Sequence, residues 1–157
     1  MSSANDAGVV ASAVSGRGSY VQRVRGLVGR GFVGVLVAMV ATTGVAALVG
    51  AAGVEFEVPA GGERIPLGGF AVVTGFFSVV GVGIAAAFLR WSARPAKRFV
   101  WTAVSLTAVS LVPPLLAGAT SSATGALVAL HLVAATVMIP TLVRGLVRAA
   151  EFVGSDG

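Results

Sequence analysis

The chain contains no cysteine, which excludes disulfides, thiolate metal sites and thiol catalysis and leaves the redox compartment unmarked. Charge is scarce as well. Only 11% of residues are Asp, Glu, Lys or Arg, where a soluble domain carries roughly 25%, and that excludes an ordinary soluble domain. The charge that exists is segregated, because residues 31–54, 68–89 and 99–143 hold none of these four types. Motifs of established chemistries are missing too: there is no GxxxxGK[ST] loop, no HExxH, no GxSxG and no cluster of metal ligands. One histidine does not ligate haem in the paired manner of membrane cytochromes. No cofactor, no metal and no enzymatic activity are therefore expected.

What the sequence has in abundance is apolar surface, 56% of its residues being hydrophobic. Each uncharged tract reaches the ~20 residues that a membrane-spanning helix requires. The first gives a span over about 32–53. Its small residues Gly50, Ala51 and Ala52 resemble a signal-peptide cleavage site, but the uncharged stretch exceeds the 7–15 residues of a signal h-region. The second gives a span over about 69–89. The tract 99–143 is too long for one crossing, since 45 residues at ~1.5 Å each reach about twice the ~30 Å hydrocarbon thickness. It must turn back on itself, and the small, hydroxylated cluster Gly118-Ala119-Thr120-Ser121-Ser122, just after Pro113-Pro114, marks the turn. Spans of about 99–117 and 123–143 follow. The expected fold is an all-α, antiparallel, up-and-down bundle of four transmembrane helices occupying residues 30–147. It is flanked by a tail at 1–29, disordered at first and then basic and juxtamembrane, and by a second, cytoplasmic tail at 148–157.

Orientation comes from the arginines. With four spans, Arg17, Arg23, Arg25 and Arg30, the middle group Arg90, Arg94, Lys97 and Arg98, and Arg144 with Arg148 share one side and make up ten of the eleven basic residues. The opposite side holds Arg64 together with Glu55, Glu57 and Glu63. The positive-inside rule then puts both termini in the cytoplasm, in a multi-pass protein of the inner (plasma) membrane. Trp91, Phe99 and Trp101 fit an aromatic belt at the same interface. Helical spacing of Tyr20, Val21, Val24, Leu27 and Val28 among the arginines reads either as a short helix lying on an anionic leaflet or as a flexible basic flank. Nucleic acid is not expected as a partner, because aromatic residues do not interleave with the basic ones as on a stacking platform.

Transmembrane helices associate by close backbone approach and polar contacts, because lipid is as apolar as leucine. Small residues recur every fourth position in the first span: Gly34, Ala38, Thr42, Ala46 and Gly50. Thr74, Ser78, Gly81 and Ala85 in the second span, and Ala103, Thr107 and Ser110 in the third, offer similar seams. Either packing within one bundle or homodimerisation would use them, and packing has the first claim on them.

His131 is the only ionisable side chain within a span, and such a group is by default a functional candidate. Counting about 1.5 Å per residue from the basic end places His131, Ser110, Ser78, Thr42 and Thr43 in one layer, ~18–20 Å deep. That layer is either a small polar, proton-responsive pocket or a set of hydroxyls and a neutral imidazole that lock the bundle. Pro113 and Pro114 strip the carbonyls near Val109 and Ser110 of their helical partners, and Pro140 predicts a kink in the fourth span. Glu55 and Glu57 alternate with Phe56 and Val58, a pattern that suits a solvated loop capping the bundle better than a cation site.

The segments IPLGGFAVVTGFFSVVGV (65–82), RWSARPAKRFV (90–100), LTAVSLVPPLL (106–116) and ALHLVAATVMIPTL (129–142) resemble a family of short four-span membrane proteins from high-GC actinobacteria, known as a domain of unknown function. The resemblance covers about residues 30–147. It implies a four-helix membrane domain and supplies no activity, cofactor or catalytic residue. The functional expectation is a non-enzymatic envelope protein acting through membrane lipid, a second copy of itself or another envelope protein. The alternative is a small oligomeric transporter or channel component built around His131.

Overall fold

The computed structural model describes residues 3–54, 56, 65–116 and 120–151, with side chains from Tyr20 onward. Its elements are α1 (Ser3–Ala51), α2 (Leu67–Trp91), α3 (Pro95–Ser110), α4 (Val112–Leu116) and α5 (Ser121–Glu151). Four helical stretches are long and apolar enough to cross a membrane, the third being α3 and α4 together over Pro95–Leu116. The expectation of an all-α bundle of four spans therefore holds.

The helix ends follow local chemistry. α1 closes at Gly53, whose φ of 90° is a left-handed conformation that costs glycine nothing. The Gly53 N–H donates to the Gly50 carbonyl at 3.0 Å and the Val54 N–H to the Val49 carbonyl at 3.2 Å, so two otherwise orphaned acceptors are satisfied. Pro66 precedes α2 and Pro95 opens α3, a position where the missing N–H loses nothing. α5 is capped by Thr120, whose Oγ1 accepts from the Ala123 N–H at 3.3 Å. That places the last turn where the hydroxylated cluster predicts it, with Gly118 and Ala119 outside the described residues.

One local expectation is corrected. Residues 1–16 read as a disordered tail, whereas α1 begins at Ser3. No proline occurs before Pro59, so a helix seeded in the apolar span meets no stop as it propagates backwards. The basic stretch consequently rides on the same rod as the first span and is not a separate surface helix. The third crossing breaks where the two prolines predict it, at the carbonyls one turn before them. α3 ends at Ser110, and the Leu111 N–H divides itself between the Thr107 and Ala108 carbonyls at 3.2 and 3.3 Å. Pro113 and Pro114 have no N–H to return to Val109 and Ser110, and so the ladder fails there. α5 runs through Pro140 as far as Glu151, with Pro140 exposed.

α1 packs against α2 and α5, and α3 packs against the same two helices. α2 and α5 also touch across the middle, while among the described residues α1 and α3 do not meet. The cross-section is thus a rhombus whose short diagonal joins α2 and α5. Glycine lets α1 come close to both α2 and α5. A β-carbon on Gly31 would stand 2.7 Å from Val82 Cγ2, one on Gly145 2.8 Å from Leu27 Cδ1, and one on Gly34 or Gly75 3.0 Å from Thr141 or Met39. Gly34, Ala38, Thr42 and Ala46 are buried as the spacing predicts, but Gly50 is exposed. The first seam therefore serves the bundle itself.

The core has two parts. Leu27, Val35, Ala38, Ala85, Phe99, Met138, Leu142 and Leu146 form a cluster towards the arginine-bearing end. Ala46, Phe56, Ala126 and Leu130 form another at the opposite end. There Phe56 meets Phe70 edge-on at 5.0 Å, and the Ile65 N–H donates to the Phe56 carbonyl at 2.8 Å, so the flanks of the α1–α2 connection fold over the bundle. Glu55 and Glu57 lie outside the described residues. The third crossing is peripheral: 6% of its apolar window is buried, against 28% for the first.

Candidate functional site

The interval between the two apolar clusters is where the polar residues fall. Thr42 lies between Ala38 of one cluster and Ala46 of the other and is 1% exposed. Its Oγ1 shares a single proton among the Ala38 carbonyl at 2.8 Å, the Met39 carbonyl at 3.2 Å and Thr74 Oγ1 at 3.1 Å. The last contact ties α1 to α2. Thr74 is a polar partner that depth counting from the basic end does not single out, although it belongs to the small-residue stripe.

Contacts between α1 and α5 fix the level of His131. Gly34 faces Met138 and Thr141, and Gly145 faces Leu27. In an antiparallel pair, stepping eight residues from Gly34 to Thr42 brings α5 back from 138–141 to 130–133, which includes His131. Met138 and Leu142 lie seven and eleven residues beyond His131 and share its helical face, and both are core residues. His131 is thus half-buried on the inner side of α5. Its Nδ1 is 2.8 Å from the Leu127 carbonyl. A carbonyl only accepts, so Nδ1 carries the proton of that bond and Nε2 is left to meet any other group.

The remaining members of the expected layer do not join it through hydrogen bonds. Ser110 Oγ donates to the Thr107 carbonyl at 2.8 Å, and Thr107 Oγ1 to the Ala103 carbonyl at 2.8 Å, so both hydroxyls serve their own helix. Ser78 is buried. Because Met39 faces Gly75 and Thr42 faces Thr74, Ser78 stands about one turn nearer the basic end than Thr42. Thr43 Oγ1 is buried with no hydrogen-bond partner among the described residues. An unpaired buried hydroxyl costs roughly 1–3 kcal/mol, and this one lies at the level of the histidine. Among the described residues no group of three or more His, Asp or Glu side chains gathers to hold a metal.

The second concentration of polar groups is the basic end. Arg23, Arg25 and Arg30 stand on α1, Arg90, Arg94, Lys97 and Arg98 around the α2–α3 connection, and Arg144 and Arg148 on α5. The Arg90 guanidinium lies 5.5 Å from the Tyr20 ring centroid and 5.9 Å from that of Trp91, which fastens the basic part of α1 to the end of α2. Trp91 and Trp101 are both largely exposed.

No curated protein and no solved structure matches the chain. A family model does match, and it extends over residues 22–148, taking in Arg23, Arg25 and Arg30 as well as all four crossings. The chain, a small membrane protein with four apolar helices, therefore belongs to the family of unknown function DUF6069.

Proposed function

We propose that the protein is a non-enzymatic envelope protein of the inner membrane, with both termini cytoplasmic, that works through association with membrane lipid. The observation that carries this reading is the collar of arginines at one end of the bundle, set beside exposed tryptophans. Each basic residue near an anionic leaflet contributes about 1 kcal/mol of attraction, and indole rings settle at the headgroup level. α1 and α5 suit such a surface, because their spanning helices, Tyr20–Ala51 and Ser121–Glu151 with 32 and 31 residues, extend about 46–48 Å. That exceeds the ~30 Å of hydrocarbon and carries their arginines into the headgroups and beyond. Native mass spectrometry after gentle extraction tests the reading. Co-purified anionic lipid, alone or with a second copy or another envelope protein, is the expected result; a clean, lipid-independent monomer would overturn it.

One observation favours a second reading, a small transporter or channel component. The unpaired Thr43 hydroxyl lies at the level of His131, whose Nε2 is not engaged by Leu127. Under this reading His131→Ala abolishes flux, or its dependence on pH, in proteoliposomes while expression is unchanged. Normal flux in that variant removes the idea. If His131 only braces α5, the same change leaves any flux intact and lowers thermal stability in detergent instead.

A further inference from the structure

The basic collar is not uniform. Between the α2–α3 connection and the last turns of α5 there is an open, mostly apolar groove, to which the exposed Arg94 and Lys97 contribute on one side and Leu146, Val147, Ala150 and Glu151 on the other. We propose that this groove seats the headgroup of one anionic glycerophospholipid from the adjoining leaflet. The inference rests on the lipid-association reading above and gives it a location.

Depth supports the assignment. Leu146 and Val147 follow Val143, the expected end of the fourth span, by three and four residues, or about 5–6 Å along α5. A headgroup layer is roughly 5–7 Å thick on each side of the hydrocarbon, so Leu146 and Val147 stand at the level of the headgroups themselves. The exposed Trp91 and Trp101 flank the cationic wall in sequence and belong at the same level.

Charge supports it too. The first turn of α3 contains no acid, and Arg98 follows Lys97 within that turn. Arg94 and Lys97 outweigh the single carboxylate of Glu151, and both are exposed and able to turn towards a phosphodiester. A zwitterionic lipid would bring its own cation into a wall that already carries two. An anionic headgroup, such as that of phosphatidylglycerol, supplies the missing sign, and its acyl chains continue along the apolar side of α5.

The test uses the full chain in nanodiscs of phosphatidylcholine with phosphatidylglycerol, read by native mass spectrometry as the last lipid lost on activation. Wild type should retain one phosphatidylglycerol. Arg94→Gln/Lys97→Gln should lower that retention roughly twenty-five-fold, about fivefold for each cation, whereas Arg25→Gln/Arg30→Gln, the same loss of charge at other exposed positions of the collar, should lower it less. Ala150→Trp, which fills the groove without altering charge, should also displace it. Equal retention in both double variants would overturn the groove while leaving lipid association in place. Wild type that retains no phosphatidylglycerol would overturn the groove and the broader reading together.

Discussion

Gly31→Leu should destabilise the bundle by roughly 1–3 kcal/mol, the range found for inserting methylenes into a packed interior. A β-carbon on Gly31 would stand 2.7 Å from one γ-carbon of Val82, 3.1 Å from the other and 3.4 Å from Leu142 Cδ2. Valine is β-branched and held to one rotamer in a helix, so Val82 has little room to swing aside and α1 must retreat from α2. Gly44 offers the internal comparison, because a β-carbon there meets nothing within 4 Å. Gly44→Leu should be neutral or mildly stabilising, as glycine costs a helix interior about 1 kcal/mol relative to alanine. Thermal or SDS-driven unfolding in detergent separates the two. Indistinguishable transitions for Gly31→Leu and Gly44→Leu would show that the α1–α2 seam is not close-packed.

An all-or-none result is expected from labelling. The natural chain has no cysteine, so single cysteines can be placed without background. If both termini are cytoplasmic, as proposed, Gly62→Cys reacts with a membrane-impermeant maleimide in intact cells, and Ala93→Cys reacts only after permeabilisation. The driving force is the split of charge, ten basic residues on one side against Arg64 on the other, at about 2.5–3.5 kcal/mol for each Lys or Arg carried to the centre of a bilayer. Both sites reacting from the same side would remove one crossing and, with it, the four-span topology.

Much of the architecture was legible in the residues. Uncharged tracts longer than a bilayer, a hydroxylated turn after two prolines and a four-residue rhythm of small side chains translate directly into three connections and a glycine-lined seam. What escaped was anything that depends on rotation about a helix axis. Counting residues from the basic end put Ser78, Thr42, Thr43, Ser110 and His131 at one depth, but depth does not say which way a hydroxyl points. Ser110 and His131 turned out to bond carbonyls of their own helices, a choice open to any Ser, Thr or His in a helix and invisible to spacing. Thr74 was missed as a polar partner because it is one turn deeper than Ser78 and its meeting with Thr42 depends on the α1–α2 register. The start of α1 escaped for another reason: lack of amphipathic period was read as lack of helix, where the absence of proline was the better guide.

The scant burial of the third crossing bears on how the chain diverges. α1, α2 and α5 hold one another through glycines and interdigitating side chains, whereas α3 and α4 serve mainly as a return stroke that carries the polypeptide back across the bilayer so that α5 can lie against α1. Such a segment answers to the solvent around it more than to its neighbours. Its outward positions, Trp101, Val104, Leu106 and Val109 among them, are free to drift with the thickness and composition of the host bilayer, while Phe99 and Pro114, its buried side chains among the described residues, are bound to the shape of the other three helices.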